Sequence, residues 1–126
     1  MTLRPGDPAS SALAVSVDDE RGPATVVRVR GEIDASSVDA LRIELDGVVD
    51  AGRAHVVVDL RDVGFMDSSG LATLLTTRRR AQGLGGEIAV VCGEGVVRHV
   101  LELTGLDKVM PIFPTPEEAI AGEFSG

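Results

Sequence analysis

The sequence is poor in aromatic residues, and this shortage excludes a class of partner. It contains three Phe and neither Tyr nor Trp, so it lacks the large rings on which single-stranded nucleic acids stack. Its formal net charge of −8 would also repel a phosphate backbone. We therefore expect no nucleic acid among the partners of this protein.

Cysteine, histidine and long apolar runs are also scarce. The single cysteine, Cys92, cannot form a disulfide within the chain, and with His55 and His99 it gives no zinc-ligand spacing. We expect neither a metal nor another cofactor. The N-terminus lacks the apolar segment of a secretory signal, and no apolar run reaches the roughly 18 residues that cross a membrane. These absences favour a cytoplasmic protein that does not contact membranes.

What the sequence does contain is typical of one folded domain. Its 126 residues are 44% hydrophobic and 25% charged, which are the proportions of a chain that buries a core. Residues 1–12, rich in Pro, Ser and Thr, predict a flexible tail. Residues 13–122 are then expected to form a single domain.

Hydrophobic periodicity predicts five strands. Two alternating runs, 13–17 and 24–29, flank a short polar linker and predict a β-hairpin. The run 56–60 is almost continuously β-branched or apolar, which predicts a strand buried on both faces, followed by a turn over 61–67. Residues 88–91 and 109–113 complete the predicted set.

Four helices are expected between and after these strands. The first begins at a capping box formed by Ser36 and Asp39, and Gly52 ends it. The second spans 68–82, with Gly83 just beyond its end, with Leu71, Leu74, Leu75 and Ala81 inside and with Thr76 and Thr77 outside. The third covers about 96–103, and the fourth follows Thr115. The fold class is therefore α/β, with a mixed, mostly parallel sheet covered by helices.

The most informative segment lies where the third strand leads into the second helix. It reads Phe65-Met66-Asp67-Ser68-Ser69-Gly70. One Ser or Asp is sufficient to cap a helix, yet three such residues are present, followed by the helix-weakening Gly70. Apolar side chains beside a polar helix start suit a contact surface, so these six residues are candidates for partner binding.

The chain resembles the anti-sigma factor antagonists, which share the STAS domain. The resemblance covers nearly all of the chain from about residue 13 to residue 120. It rests on segments in the family's order: Gly31-Glu32-Ile33-Asp34, Val56-Val57-Val58-Asp59-Leu60, Phe65-Met66-Asp67-Ser68-Ser69-Gly70-Leu71 and Leu103-Thr104-Gly105-Leu106.

This resemblance implies a fold, a function and a set of partners. It implies a STAS-type domain that has no catalytic activity of its own and binds an anti-sigma factor, thereby releasing a sigma factor. The anti-sigma factor of this family is also a serine kinase, and it phosphorylates the first serine of the Asp-Ser-Ser-Gly motif, which is Ser68 here. A serine phosphatase is then expected to restore the unmodified form.

Three alternatives compete with this interpretation. A phosphoaspartate receiver is suggested by Asp18-Asp19, Asp59 and Lys108, although the Gly22-Pro23 turn and second alternating strand argue against it. An enzyme with Ser68 or Ser69 as its nucleophile is a second alternative, but the chain lacks the G-x-S-x-G spacing and a convincing base. A STAS domain that serves as a scaffold in another complex remains the main alternative.

Overall fold

Five strands form one mixed sheet in the computed structural model, which describes residues 13–18 and 22–124. Their order across the sheet follows their order in the chain; β1 and β2 form an antiparallel hairpin, and the other neighbours are parallel. The strands are β1 (Ala14–Asp18), β2 (Thr25–Ile33), β3 (His55–Met66), β4 (Glu87–Val91) and β5 (Ile112–Phe113). The predicted fold class is confirmed. The expected tail, residues 1–12, lies outside the described residues.

Four α-helices cover the sheet within the described part of the chain. They are α1 (Val38–Asp50), α2 (Ser68–Gly83), α3 (Val96–Leu103) and α4 (Pro116–Ala119). A 3-10 turn (Leu106–Lys108) follows α3, and a wider helical turn (Ile120–Phe124) follows α4. The first three helices pack on one face of the sheet, and α4 packs on the other.

Strand β3 lies at the centre of the sheet and is buried on both faces, as predicted. Val56 and Val58 point towards the core beneath α1, α2 and α3, whereas Val57 points towards α4. All three side chains are fully buried, and each such valine stabilises the fold by about 1.5–3 kcal/mol. The position of β3 therefore determines where the chain that follows it emerges.

The ends of three elements differ from the sequence prediction. Strand β3 continues to Met66, where a turn was predicted over 61–67, because parallel pairing with β2 gives this polar segment backbone partners. The predicted strand over 109–113 is shorter, since a turn beginning after Gly105 buries Leu106 and Met110. Helix α2 includes Gly83, and Leu84 is its cap residue.

The buried side of α2 also differs from the prediction. Leu74 and Ala81 are buried as expected, but Leu71 and Leu75 are only half-buried. Thr77 was predicted to lie outside and is instead 3% exposed. Together with Thr73 it lines the groove between α2 and α1, where small side chains let the two helices approach closely.

Two arginines link the C-terminal half of α2 to its neighbours. Arg80 forms ion pairs with Asp46, at 2.7 Å, and with Asp50, both on α1. Arg78 pairs with Glu87 at the start of β4, at 3.0 Å. Such partly exposed pairs contribute little stability individually. The Arg80 pairs mark the side of α2 that faces α1.

The receiver hypothesis is wrong because the topology excludes it. A receiver has a doubly wound strand order in which its first strand lies inside the sheet. Here Asp18 ends the outermost strand, β1, and its neighbour Asp19 lies outside the described residues. Asp59 is 5% exposed and is bound by Arg61 at 2.8 Å, so it is not an accessible phosphate acceptor.

Replacement of Leu74 by alanine tests the packing of α2. Leu74→Ala removes a fully buried side chain, so it should lower the free energy of unfolding by about 2–5 kcal/mol. Thr76→Ala, on the exposed side of the same helix, should change it by less than about 0.5 kcal/mol. Urea denaturation of both variants measures the two values, and equal losses would contradict this orientation of α2.

Candidate functional site

Two aspartates follow the ends of neighbouring parallel strands. Ile33 of β2 pairs with Met66 of β3, and the next residues along the two strands are Asp34 and Asp67. The backbone N–H of Asp67 donates to the carbonyl of Ile33 at 3.1 Å. The starts of α1 and α2 are therefore adjacent at the carboxyl edge of the sheet.

Asp67 is the N-cap residue of α2. Its carboxylate accepts a hydrogen bond from the backbone N–H of Ser69 at 2.9 Å and another from the Ser69 hydroxyl. The hydroxyl bond is the largest of the effects that lower the pKa of Asp67 below its ordinary value of 3.8. Ser69 is therefore committed to holding the ionised carboxylate that caps this helix.

Ser68, in contrast, presents a free hydroxyl. The side chain is exposed and makes no hydrogen bond to any residue that the structure describes. It occupies the first position of α2, where backbone N–H groups lack intrahelical partners and the helix dipole is positive. Ser68 is thus the serine of the pair that an approaching molecule can reach.

The neighbouring helix start has a similar arrangement around Asp34. Its carboxylate accepts from the Ser36 hydroxyl at 2.6 Å and from the backbone N–H groups of Ser36 and Ser37. The Ser36 hydroxyl is the largest cause that lowers the pKa of Asp34. The predicted capping box of Ser36 and Asp39 is wrong, because Ser36 bonds back to Asp34 and α1 begins two residues later.

Sequence reasoning did not place Asp34 and Ser36 in the candidate site. The signal that could have found them is a repeated pattern, in which an apolar strand end is followed by Asp and by two serines. It occurs in Ile33-Asp34-Ala35-Ser36-Ser37 and again in Met66-Asp67-Ser68-Ser69. Two such segments lie side by side only if the strands before them are neighbours in the sheet. The sequence pattern alone does not predict which strands are neighbours.

Met66 and Gly70 lie beneath the site. Met66 was expected on the contact surface, but its side chain is 1% exposed, because at the end of β3 it points into the core. Gly70 is also buried, and a Cβ atom added there would lie 2.6 Å from Met66 Cγ and 2.9 Å from Ile33 Cγ2. These two residues thus support the first turn of α2 from below.

Phe65 is an exposed apolar residue three positions before Ser68 in the chain. Its side chain is 42% exposed, which is unusual for a large aromatic residue. It pairs in the sheet with Glu32, one residue before Ile33. Of the six predicted contact residues, Phe65, Asp67, Ser68 and Ser69 therefore have side chains at or near the surface.

The histidines do not form a catalytic group with Ser68. His55 begins β3, and Ser68 follows the other end of this twelve-residue strand, roughly 35 Å away at the rise of an extended chain. The His55 ring instead packs against Phe124, with ring centres 5.2 Å apart. His99 is exposed on α3. This geometry gives no support to the alternative of an enzyme with a serine nucleophile.

The sequence model of the STAS domain matches residues 16–119. The chain belongs to the STAS domain family. Among curated proteins, this STAS domain is 33% identical to the anti-sigma F factor antagonist of Paenibacillus polymyxa, over 86% of this chain and 92% of that protein. It is 34% identical to the anti-sigma-F factor antagonist RsfB of Mycobacterium tuberculosis, over 94% of this chain and 95% of the relative.

Solved structures agree with this assignment. An anti-sigma factor antagonist from Mycobacterium paratuberculosis aligns with a TM-score of 0.84 and 32% identity, over 91% of this chain and 97% of that chain. The anti-sigma factor antagonist SpoIIAA in its unphosphorylated form aligns with a TM-score of 0.74, 25% identity and coverage of 86% and 95%. The phosphorylated form of the Bacillus cell fate determinant SpoIIAA aligns with a TM-score of 0.67, 25% identity and coverage of 86% and 98%.

A glycine substitution tests the support beneath the STAS site. Gly70→Ala should lower the free energy of unfolding by about 1–3 kcal/mol, because its methyl group would overlap Met66 and Ile33. Gly47→Ala is the matched control within α1. A Cβ there meets no atom within 4 Å, so the change should raise stability by about 0.5–1 kcal/mol. If chemical denaturation shows that both substitutions raise the free energy of unfolding, the first turn of α2 does not pack against Met66.

Acid denaturation tests the role of Asp67. Its folded-state pKa lies below the ordinary 3.8, so its stabilising contribution is present above that pH and is lost as the pH falls through the folded-state pKa. Asp67→Asn keeps a capping oxygen but cannot titrate. Its melting temperature should therefore decrease less than that of the wild type between about pH 5 and about pH 2.5.

The control for this experiment is Glu44→Gln, on the exposed face of α1. It removes one carboxylate at a distance from the capping network, so its melting temperature should follow that of the wild type. If Asp67→Asn and Glu44→Gln have the same pH profile, Asp67 does not cap α2 as an ionised group.

Proposed function

We propose that this protein is an anti-sigma factor antagonist that binds an anti-sigma factor and thereby releases a sigma factor. The names of its relatives support this function, since proteins matched over most of their length are anti-sigma factor antagonists. The observation that carries the proposal is the exposed Ser68 hydroxyl, which forms no hydrogen bond to a described residue at the start of a helix and follows the exposed Phe65 by three residues. The partner contacts Phe65, Asp67, Ser68 and Ser69. Met66 and Gly70 are buried and support the first turn of α2.

Phosphorylation of Ser68 by the anti-sigma factor, itself a serine kinase, is the proposed switch. A phosphoserine carries about −1.5 to −2 charges, and the first turn of α2 offers backbone N–H groups and a positive dipole end. The domain can therefore accept the phosphate without unfolding. The contrast between Ser68 and Ser69 supports this choice of acceptor, because the Ser69 hydroxyl is already bound to Asp67.

The phosphate would act on binding through charge. It would stand beside the ionised carboxylate of Asp67, and Asp34 follows the neighbouring strand. A partner that covers Ser68 would have to remove water from this concentrated negative charge, which costs several kcal/mol when no cation compensates it. Because about 1.4 kcal/mol corresponds to a tenfold change in affinity, one phosphate is sufficient to end binding.

The remaining parts of the proposal concern context. A serine phosphatase would return the protein to its binding form, and the protein itself would bind without catalysing a reaction. Cytoplasmic action without nucleic acid or membrane contact fits the net charge of −8. No helix within residues 13–18 and 22–124 is both long and apolar enough to span a bilayer. A STAS scaffold without a phosphorylation switch is the alternative.

Phosphorylation by the cognate anti-sigma factor tests the acceptor. Incubation of the wild-type protein with that kinase and ATP should add one phosphate, which mass spectrometry should locate at Ser68. Ser68→Ala should abolish the modification. Ser69→Ala and Ser36→Ala, the matched controls at the two helix starts, should retain it. A phosphate on any residue other than Ser68 would contradict the assignment.

Binding measurements test the switch itself. Ser68→Ala adds no charge, so calorimetric titration should show affinity for the anti-sigma factor close to that of the wild type. Ser68→Asp adds one negative charge, which is less than a phosphate, and should weaken binding partly or fully. Both variants should melt close to the wild type, because Asp67 still caps α2. Full affinity of both Ser68→Asp and the phosphorylated protein would instead favour a passive scaffold.

A further inference from the structure

The outer edge of β1 has no strand partner among the residues that the structure describes. In the sheet formed by the described residues, β1 is the outermost strand, and its pairing with β2 runs from Ala14 to Asp18 without a bulge. Natural proteins usually protect such edges with proline, lysine or bulges. This strand has none of these three, its one charged residue is Asp18 at its end, and its Val17 side chain is 38% exposed. Within residues 13–18 and 22–124, the outward-facing backbone N–H and C=O groups of β1 therefore have no strand partner, which is what pairing with another chain requires.

Two exposed arginines lie one strand inside this edge. Arg28 and Arg30 are two positions apart in β2, so their side chains lie on the same face of the sheet. Neither forms an ion pair with another described residue. Their partners in β1 are Ser16 and Ala14. These small side chains leave room for each arginine to extend over β1 towards the edge.

The aspartates of β3 that lie opposite these two arginines form no ion pair with them. Arg28 of β2 pairs with Asp59 of β3, and the carboxylate of Asp59 is already bound by Arg61 at 2.8 Å. Arg30 pairs in the sheet with the exposed Asp62 of β3. Both residues line one shallow cavity, but their side chains form no ion pair with each other. An acidic group at the edge of β1 would therefore find two arginines that form no ion pair with any described residue.

We propose that this edge pairs with the β1 edge of a second copy of the chain. The sequence Ala14-Val15-Ser16-Val17-Asp18 is self-complementary when two copies run antiparallel with Ser16 opposite Ser16. Val15 of each copy then lies opposite Val17 of the other, which gives two apolar cross-strand pairs. The two five-stranded sheets become one continuous sheet related by a two-fold axis.

The same register brings opposite charges together. It places Asp18 of the second copy directly opposite Ala14, with Arg30 of the first copy on the next strand inward. The Cα atoms of this Arg30 and Asp18 are then about 10 Å apart, two strand spacings, which an arginine and an aspartate side chain can bridge together. Asp18 already has a contact within its own chain, but a carboxylate accepts several hydrogen bonds. Symmetry provides this pair twice.

The proposed dimer is weak. Pairing along five residues covers less surface than the roughly 1,200–2,000 Å² total of a stable complex. We therefore expect dissociation in the upper micromolar range. Ser68 follows β3, two strands away from this edge, so the pairing leaves it accessible.

Sedimentation equilibrium of the full chain tests the proposal. Between about 10 μM and about 1 mM, the weight-average mass should rise from 13.1 kDa towards twice that value. A wild-type protein that stays monomeric throughout would overturn the proposal. Its β1 edge would then be covered by its own N-terminal residues or left for a different protein.

A charged residue in the strand tests the location of the interface. Val17→Lys places an ammonium group opposite Val15 of the other copy and should weaken dimerisation at least tenfold. Leu103→Lys is the matched control, since it makes the same change in net charge at a 73% exposed position on α3. Its dimerisation should equal that of the wild type. Equal effects of the two changes would place the contact elsewhere and overturn the proposal.

Charge reversal tests the register. Asp18→Arg alone and Arg30→Asp alone each create two like-charge pairs in a homodimer, so each variant should remain monomeric. An equimolar mixture should dimerise again, because both Arg–Asp pairs are restored in the mixed dimer. Circular dichroism first verifies that each variant is folded. A mixture that associates no better than the separate variants would overturn the proposed pairing.

Discussion

The pairing of Ile33 with Met66 is the contact on which the candidate site depends. It joins the ends of β2 and β3, and the Asp67 N–H to Ile33 carbonyl hydrogen bond continues it by one residue. The side chains of the same two residues form the surface on which Gly70 rests. Because no loop intervenes between this junction and α2, the position of Ser68 is set by the core beneath it and not by a mobile segment.

Hydrogen bonds to two neighbouring carboxylates define which groups at this edge remain available. Asp34 and Asp67 repel each other, yet serine hydroxyl and backbone N–H groups lower the pKa of both, so both stay ionised at neutral pH. This arrangement occupies the hydroxyls of Ser36 and Ser69 and leaves that of Ser68 free. The same negative surroundings that hold the helix start in place would make an added phosphate strongly unfavourable in a contact with a partner.

Much of the fold followed from local patterns, and the errors share a cause. The hairpin and the central valine strand were predicted because apolar periodicity reports burial directly. Thr77 was placed on the wrong side of α2 because the sequence does not show that a second helix approaches closely there. Likewise, Met66 was expected on the surface because the extension of β3 depends on its pairing with β2.

The sequence by itself determined the types of the elements, the buried core of the sheet and the helix start at Asp67-Ser68-Ser69, because periodicity and capping act over a few neighbouring residues. Only the tertiary structure decided that Asp34 lies beside Asp67, that Met66 supports α2 from below and that β1 is the outermost strand of the described sheet. These features depend on which strands are neighbours and in what register, and residues far apart in the chain become neighbours only when the whole sheet has formed.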